Sequence, residues 1–187
     1  MEKEITKCVE LLLAGKVILY PTDTIWGLGC DATNEDAVEK IYQIKQRHES
    51  KSMIILLDKS DKLPLYVQKI PLIAWDLLHI ADRPTTYIYP TACNLPSKLI
   101  HSDGTIAIRI VNDPFCCRLI QQLGRPLIST SANLSGEESP TSFADISPQL
   151  KEAVDYCVPQ ECASSIDYKP SRLIRFINDY NFSVVRE

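Results

Sequence analysis

Residues 16–29 read Lys16-Val17-Ile18-Leu19-Tyr20-Pro21-Thr22-Asp23-Thr24-Ile25-Trp26-Gly27-Leu28-Gly29. The opening residues, 16–20, are apolar or β-favouring and predict a short strand, which Pro21 stops because proline has no N–H to give to a ladder. A polar Thr-Asp-Thr step stands where that strand ends. Upstream, Ile5, Val9, Leu12 and Leu13 recur at helical spacing, and Gly15 sits where a helix C-terminal glycine belongs. Downstream of the glycines, Thr33 with Asp36 reads as a capping box, and Ala37, Ile41 and Ile44 share a face of a helix expected to fray near Arg47. Helix, strand, polar turn and helix in that order predict an α/β chain.

The alternation continues outward. An apolar run over 53–57 predicts a strand buried on both faces, 72–80 a helix, and 86–89 a strand before Pro90. Asp103-Gly104 predicts a hairpin turn joining 99–100 to a strand over 105–111. Asp113-Pro114 supplies an N-cap with proline at the first helical position, and Gly124 a stop. A strand over 126–129 runs into Ser129-Thr130-Ser131-Ala132-Asn133-Leu134-Ser135-Gly136, read as a loop because its side chains compete with the backbone. A helix over 143–153 and strands near 154–158, 173–177 and 182–185 follow. The expected fold is α/β, bordering on α+β: a twisted mixed sheet with flanking helices. At 187 residues and 45% apolar, with no repeat or linker, residues 1–187 are expected to form a single domain.

A net charge of −4 gives no global field to hold nucleic acid. The seven cysteines form an odd set with no C-x-x-C pair and are read as reduced thiols. The N-terminus is acidic where a signal peptide would be basic, and no apolar run approaches membrane-spanning length, so a cytoplasmic protein is expected.

Three segments carry candidate chemistry, and each has a bland alternative. Lys45, Arg47 and Lys51 place three cations within seven residues. They read either as solvated charge favourable to a helix C-terminus or as a triphosphate clamp of point charges and a bidentate fork. In the 129–136 segment, Ser131, Asn133 and Ser135 alternate, so an extended chain would point three polar side chains one way. The alternative is a turn that satisfies its own backbone. In the Thr22-Asp23-Thr24 step, Thr22 could contact a small zwitterion and Asp23 an ammonium group, or Asp23 and Thr24 could simply cap a turn, with Trp26 in the core. No Walker loop, G-x-S-x-G elbow or metal-ligand histidine spacing is present, and no metal-ligand set is assigned.

Taken in order, residues 20–29, Lys45-x-Arg47 with Lys51, Ala107-Ile108-Arg109 and residues 129–136 closely resemble the YrdC-like threonylcarbamoyl-adenylate synthase family, in its short single-domain form. The resemblance runs from the first helix to about Arg175. It implies a sheet around a concave, positively charged cavity, and a nucleotidyltransferase that condenses L-threonine, bicarbonate and ATP into threonylcarbamoyl-adenylate. That product serves threonylcarbamoyladenosine modification of tRNA beside the anticodon. It implies Mg²⁺ entering with ATP, a downstream tRNA-threonylcarbamoyl transferase as partner, and room for a weak tRNA contact. Residue by residue, it implies that Thr22, Arg109 and Ser165 contact threonine. Lys45, Arg47 and Lys51 would act on the triphosphate, and Thr130, Ser131, Asn133, Ser139 and Arg175 would hold ATP. The sequence departs from the family at Trp26 for a tyrosine, at Ser52 after Lys51 for a proline, and over Arg83-Pro84. A binding-only reading, with the cationic segment holding tRNA or double-stranded RNA, stands as the alternative.

Overall fold

In the computed structural model, residues 1–46, 53–163 and 169–187 are described. Helix α1 (Glu2–Leu13) buries Ile5, Cys8 and Leu12, and Gly15 with φ +70° turns the chain into strand β1 (Ile18–Tyr20). Strand β2 (Gly27–Gly29) returns antiparallel to β1. A β-carbon on Gly29 would lie 2.5 Å from Tyr20 Cε1 and 2.6 Å from the Ile128 carbonyl oxygen. Only glycine fits there, because the Tyr20 ring crosses that backbone to donate its hydroxyl to Ile128 at 2.9 Å.

Helix α2 (Glu35–Lys45) is capped by Asn34, whose Oδ1 accepts from the Ala37 N–H. The expected cap, Thr33, is instead bonded through both its N–H and its hydroxyl to the Asp31 carboxylate. Strand β3 (Ile54–Leu57), helix α3 (Ile73–Ile80) and strand β4 (Thr85–Tyr89) follow. The hairpin expected at Asp103-Gly104 is only a turn. Its first arm is a 3₁₀ turn over Ser97–Leu99, and a single strand, β5 (Ile106–Ile110), leaves it. Helix α4 (Pro114–Leu123) has the expected ends, with Asp113 capping Cys116 and Gly124 in the left-handed region. Strand β6 (Leu127–Ser131), helix α5 (Pro148–Ala153), strand β7 (Tyr156–Cys157), strand β8 (Arg172–Phe176) and strand β9 (Phe182–Arg186) complete the chain. Strand β6 runs two residues further than the sequence suggested, because Thr130 and Ser131 find partners in Leu28 and Gly27.

Among the described residues the strands form one mixed sheet in the order β7-β1-β2-β6-β3-β5-β4-β8-β9, the twisted mixed sheet with flanking helices that was expected. The main core lies between it and α1, α2 and α4, with Ile55, Ile108, Phe115 and Leu119 at its centre. A smaller cluster, Leu19, Trp26, Leu28, Ala132, Ile146 and Leu150, packs α5 and the segment after β6 against the other side of β1 and β2. Cross-strand partners share a face of a pleated sheet. The register therefore sets Arg175, Ile88, Ala107, Ile54 and Ser129 in one row across β8, β4, β5, β3 and β6. Beside it runs the row Leu173, Thr86, Arg109 and Leu56.

Candidate functional site

Ile54, Ile88, Ala107 and Ser129 of the first row and Thr86, Arg109 and Leu173 of the second floor a cavity of about 300 Å³. Its polar lining comes from Thr24 in the turn after β1, Thr86 on β4, Arg109 on β5, Ser129, Thr130 and Ser131 on β6, Ser139 further on, and Ser171 with Arg186 at the C-terminal hairpin. The polar edge exists because β6 pairs with a strand of glycines. A β-carbon on Gly27 would sit 3.3 Å from both the Ser129 hydroxyl and the Thr130 carbonyl, so a side chain on β2 would crowd the hydroxyl edge.

Arg109 is the charge at the floor. It is only 2% exposed. Its Nη1 donates to Thr24 Oγ1 at 3.0 Å, and its Nη2 lies 3.2 Å from Asp23 Oδ1. That ion pair lacks hydrogen-bond alignment, so Nε and Nη2 of Arg109 and Oδ1 of Asp23 are buried without hydrogen-bond partners among the described residues. Buried polar groups are ordinarily paired, and a guanidinium with unmet donors in a cavity wall is built for an anion. Burial pushes the Asp23 carboxyl above its ordinary value, with Arg109 counteracting. Thr22 lies behind this wall. Its hydroxyl donates to the Ile25 carbonyl at 2.7 Å and accepts from the Thr24 and Ile25 N–H groups, which shapes the turn that presents Thr24.

Lys45 is also buried, at 1% exposure. Its ammonium donates to the backbone carbonyls of Ser131 at 2.5 Å and Asn133 at 2.6 Å, and its own carbonyl accepts from Ser135 N–H at 2.9 Å. It ties the end of α2 to the polar segment after β6. That segment is therefore not extended past Ser131. Asn133 turns its amide onto the Glu137 carbonyl at 2.6 Å, and Asn133 and Ser135 lie outside the cavity lining, whereas Thr130, Ser131 and Ser139 lie in it. Trp26 is core, 2% exposed, with its ring centroid 4.7 Å from that of Phe143. Arg175, at the end of the first row, lies outside the cavity lining and is ion-paired with Asp103. Arg47, Lys51 and Ser165 lie outside the described residues, as does Ser52.

The sequence reading missed Thr86, Ser171 and Arg186, and it gave no role to Thr24 or Ser129 within the segments it singled out. The Thr86 and Ser171 hydroxyls are 2.7 Å apart, brought together by the parallel pairing of β4 with β8. Arg186 clamps the Ser171 carbonyl with Nε at 3.2 Å and Nη2 at 2.8 Å. Burial and then the positive charge of Arg109 lower its guanidinium below the ordinary value, so two cations bear on one cavity. The local signal for Ser171 was a Pro170-Ser171 step opening an apolar strand. For Arg186, the last residue of an exposed strand, there was none.

A second cavity, about 620 Å³, opens on the other face of β4 and β5, where Asp23, Asp82, Arg83, Thr85 and Asp113 meet. The Arg83-Pro84 segment forms its rim, and the Pro84 carbonyl accepts from Arg172 N–H at 3.0 Å to start the β4–β8 pairing.

The family described as telomere recombination, Sua5/YciO/YrdC, matches residues 10–187. A threonylcarbamoyl-AMP synthase from Pseudoalteromonas translucida is 40% identical over 162 residues, covering 85% of this chain and 87% of that protein. Another from Xanthomonas campestris is 33% identical over 90% of this chain and 92% of its own length. Among solved structures, E. coli YciO superposes with a TM-score of 0.86 at 27% identity over 100% of this chain and 90% of its own. P. abyssi Sua5 complexed with L-threonine has the same fold, with a TM-score of 0.89 at 24% identity. It matches all of this chain, which covers 54% of the Sua5 chain.

Proposed function

This chain belongs to the Sua5/YciO/YrdC family, and we propose that the cavity over Arg109 is where it joins L-threonine, bicarbonate and ATP. Its activity is that of a threonylcarbamoyl-AMP synthase, a nucleotidyltransferase serving threonylcarbamoyladenosine modification of tRNA. The observation that carries the site reading is the buried Arg109 fork with unmet donors, ringed by the hydroxyls of Thr24, Thr86, Ser129 and Ser171. A carboxylate satisfies the fork, and the hydroxyls suit the hydroxyl and amine of threonine.

The reaction asks for two bonds. The threonine amine, freed of its extra proton, bonds to the carbon of bicarbonate or carbon dioxide. From bicarbonate, water leaves, and the threonine carbamate remains. A carbamate oxygen then attacks the α-phosphorus of ATP, and the bond to the bridging oxygen breaks to release pyrophosphate. Positioning and charge stabilisation carry such a step, and together they supply several kcal/mol of its barrier. In this reading Arg109 anchors the threonine carboxylate, with Thr22 shaping the turn behind Thr24 and Ser165 a further threonine contact. Thr130, Ser131, Asn133, Ser139 and Arg175 hold the nucleotide. Arg47 and Lys51, with Arg186 at the rim, meet the charge that develops on the leaving pyrophosphate. Lys45 holds the nucleotide segment in shape and adds its field at short range.

Mg²⁺ travels with the triphosphate in this scheme. Among the described residues no cluster of three His, Cys, Asp or Glu side chains stands ready to hold a metal. When bound it neutralises phosphate charge. No helix among the described residues is long and apolar enough to cross a membrane. We further propose that residues 1–187 work as one domain that passes its adenylate to a tRNA-threonylcarbamoyl transferase. Carbon-13 bicarbonate tests the chemistry directly. Mass spectrometry is expected to find a threonine- and ATP-dependent adenylate one mass unit heavier than with ordinary bicarbonate. An unshifted mass, or RNA binding with a steep salt slope and no adenylate, overturns it.

A further inference from the structure

We propose that Asp23 is a positioning residue for threonine, holding the Arg109 guanidinium in the orientation that meets the substrate carboxylate and doing so from a second cavity on the far side of the sheet. The inference rests on reading the first cavity as the threonine site.

The geometry divides labour between adjacent residues of one turn. Thr24 Oγ1 takes Nη1 of Arg109 at 3.0 Å and Asp23 Oδ1 stands 3.2 Å from Nη2, so the fork is gripped at both terminal nitrogens. The turn itself is fixed by the Thr22 hydroxyl, which accepts from two of its N–H groups. The grip is incomplete by hydrogen-bond geometry, and Nε and Nη2 keep unmet donors. Asp23 thus fixes the direction of the guanidinium without saturating it. A neutral residue at position 23 leaves a buried cation with no fixed counter-charge, free to swing away from the cavity.

Asp23 is reached from the other side. Neighbours on a strand face opposite ways, so Thr86 and Arg109 line the first cavity while Thr85 and Ile110 line the second, and Asp23 lines the second. Water and protons therefore reach the carboxyl whatever fills the substrate cavity. The groups facing it are Arg109 on β5, Asp113 at the cap of α4, the Cys116 and Cys117 thiols on α4 and the Tyr20 phenol on β1. Asp82 and Arg83 sit on the wall of its cavity. Burial raises the carboxyl's pKa and Arg109 opposes that rise. The ionised form is the one that holds Arg109. Threonine affinity is full above the raised pKa and falls as the pH drops through it.

Calorimetric titration of L-threonine and, separately, of ATP into the whole chain tests this. Asp23→Asn is expected to weaken threonine binding at least about tenfold with ATP affinity kept, and Asp23→Glu to recover most of the loss. Wild-type threonine affinity should decline on acidification over a range where Asp23→Asn is flat. Wild-type threonine affinity and pH profile in Asp23→Asn overturn the proposal. So does parallel loss of threonine and ATP binding that Asp23→Glu does not relieve, since that marks a purely structural residue. Arg109→Ala separates the two layers. If it leaves threonine binding intact, the reading of the first cavity fails and takes this inference with it. If it abolishes binding while Asp23→Asn does not, only the role of Asp23 is refuted.

Discussion

Lys45→Met removes the ammonium and keeps a similar apolar stem. In the wild type Lys45 is 1% exposed and its ammonium donates to two backbone carbonyls, at 2.5 and 2.6 Å. Each carbonyl left without a partner costs about 1–3 kcal/mol, and the relief of no longer burying a charge offsets part of it. A net loss of roughly 2–4 kcal/mol follows from those two terms. In a chain of 187 residues this lowers Tm by about 5–15 °C at roughly 2–4 °C per kcal/mol. Because the carbonyls belong to Ser131 and Asn133, the nucleotide segment shifts with them, and KM for ATP is expected to rise about tenfold or more. Thermal melts followed by circular dichroism, paired with pyrophosphate-release kinetics across ATP concentrations, read both effects. A Lys45→Met protein that melts with the wild type yet loses a hundredfold in kcat refutes the strut and puts the ammonium on the phosphates.

Arg47→Ala, Lys51→Ala and Arg186→Ala are each expected to lower adenylate formation at least about tenfold, because each removes positive charge from the developing pyrophosphate; wild-type turnover in all three refutes the cationic clamp. Gly29→Ala forces a methyl to within 2.6 Å of the Ile128 carbonyl oxygen and is expected to cost about 1–3 kcal/mol of stability by overpacking, read as a lowered Tm. Asp103 accepts from the Thr105 hydroxyl and N–H and pairs with Arg175, which hold its carboxyl at about 2. Since that value lies below the ordinary carboxylate value of about 3.9, its contribution is present above about pH 4 and is lost as the pH falls through about 2. Side-chain NMR titration of wild type against Arg175→Ala checks it, with the wild-type carboxyl titrating lower.

The elements whose signals are local were legible. Helix α4 was bounded correctly because Asp113, Pro114 and Gly124 act within a turn of themselves. Strand β2 was not, because Gly-Leu-Gly has little strand preference and exists as a strand through its pairing with β1 on one side and β6 on the other. The same pairing carried β6 past the polar residues that seemed to end it. The hairpin reading failed for the converse reason: Asp103-Gly104 does turn the chain, but residues before it have no strand to join. At the site, Arg109 was found by resemblance, and its burial among Thr24 and Asp23 then gave that resemblance a physical meaning. Ser171 and Arg186 reach the cavity only through the parallel β4–β8 pairing and the β8–β9 turn, the first of them a contact across some eighty residues that no local pattern records. The resemblance had pointed to Ser165 instead, outside the described residues.

Adenylate formation on this chain requires three obligatory substrates. Purified chain is incubated with ATP, L-threonine, bicarbonate and Mg²⁺, and pyrophosphate is measured alongside threonylcarbamoyl-adenylate. Equal amounts of both are expected, and neither when threonine or bicarbonate is left out. Pyrophosphate released at the same rate without threonine, or no adenylate with all three present, contradicts it.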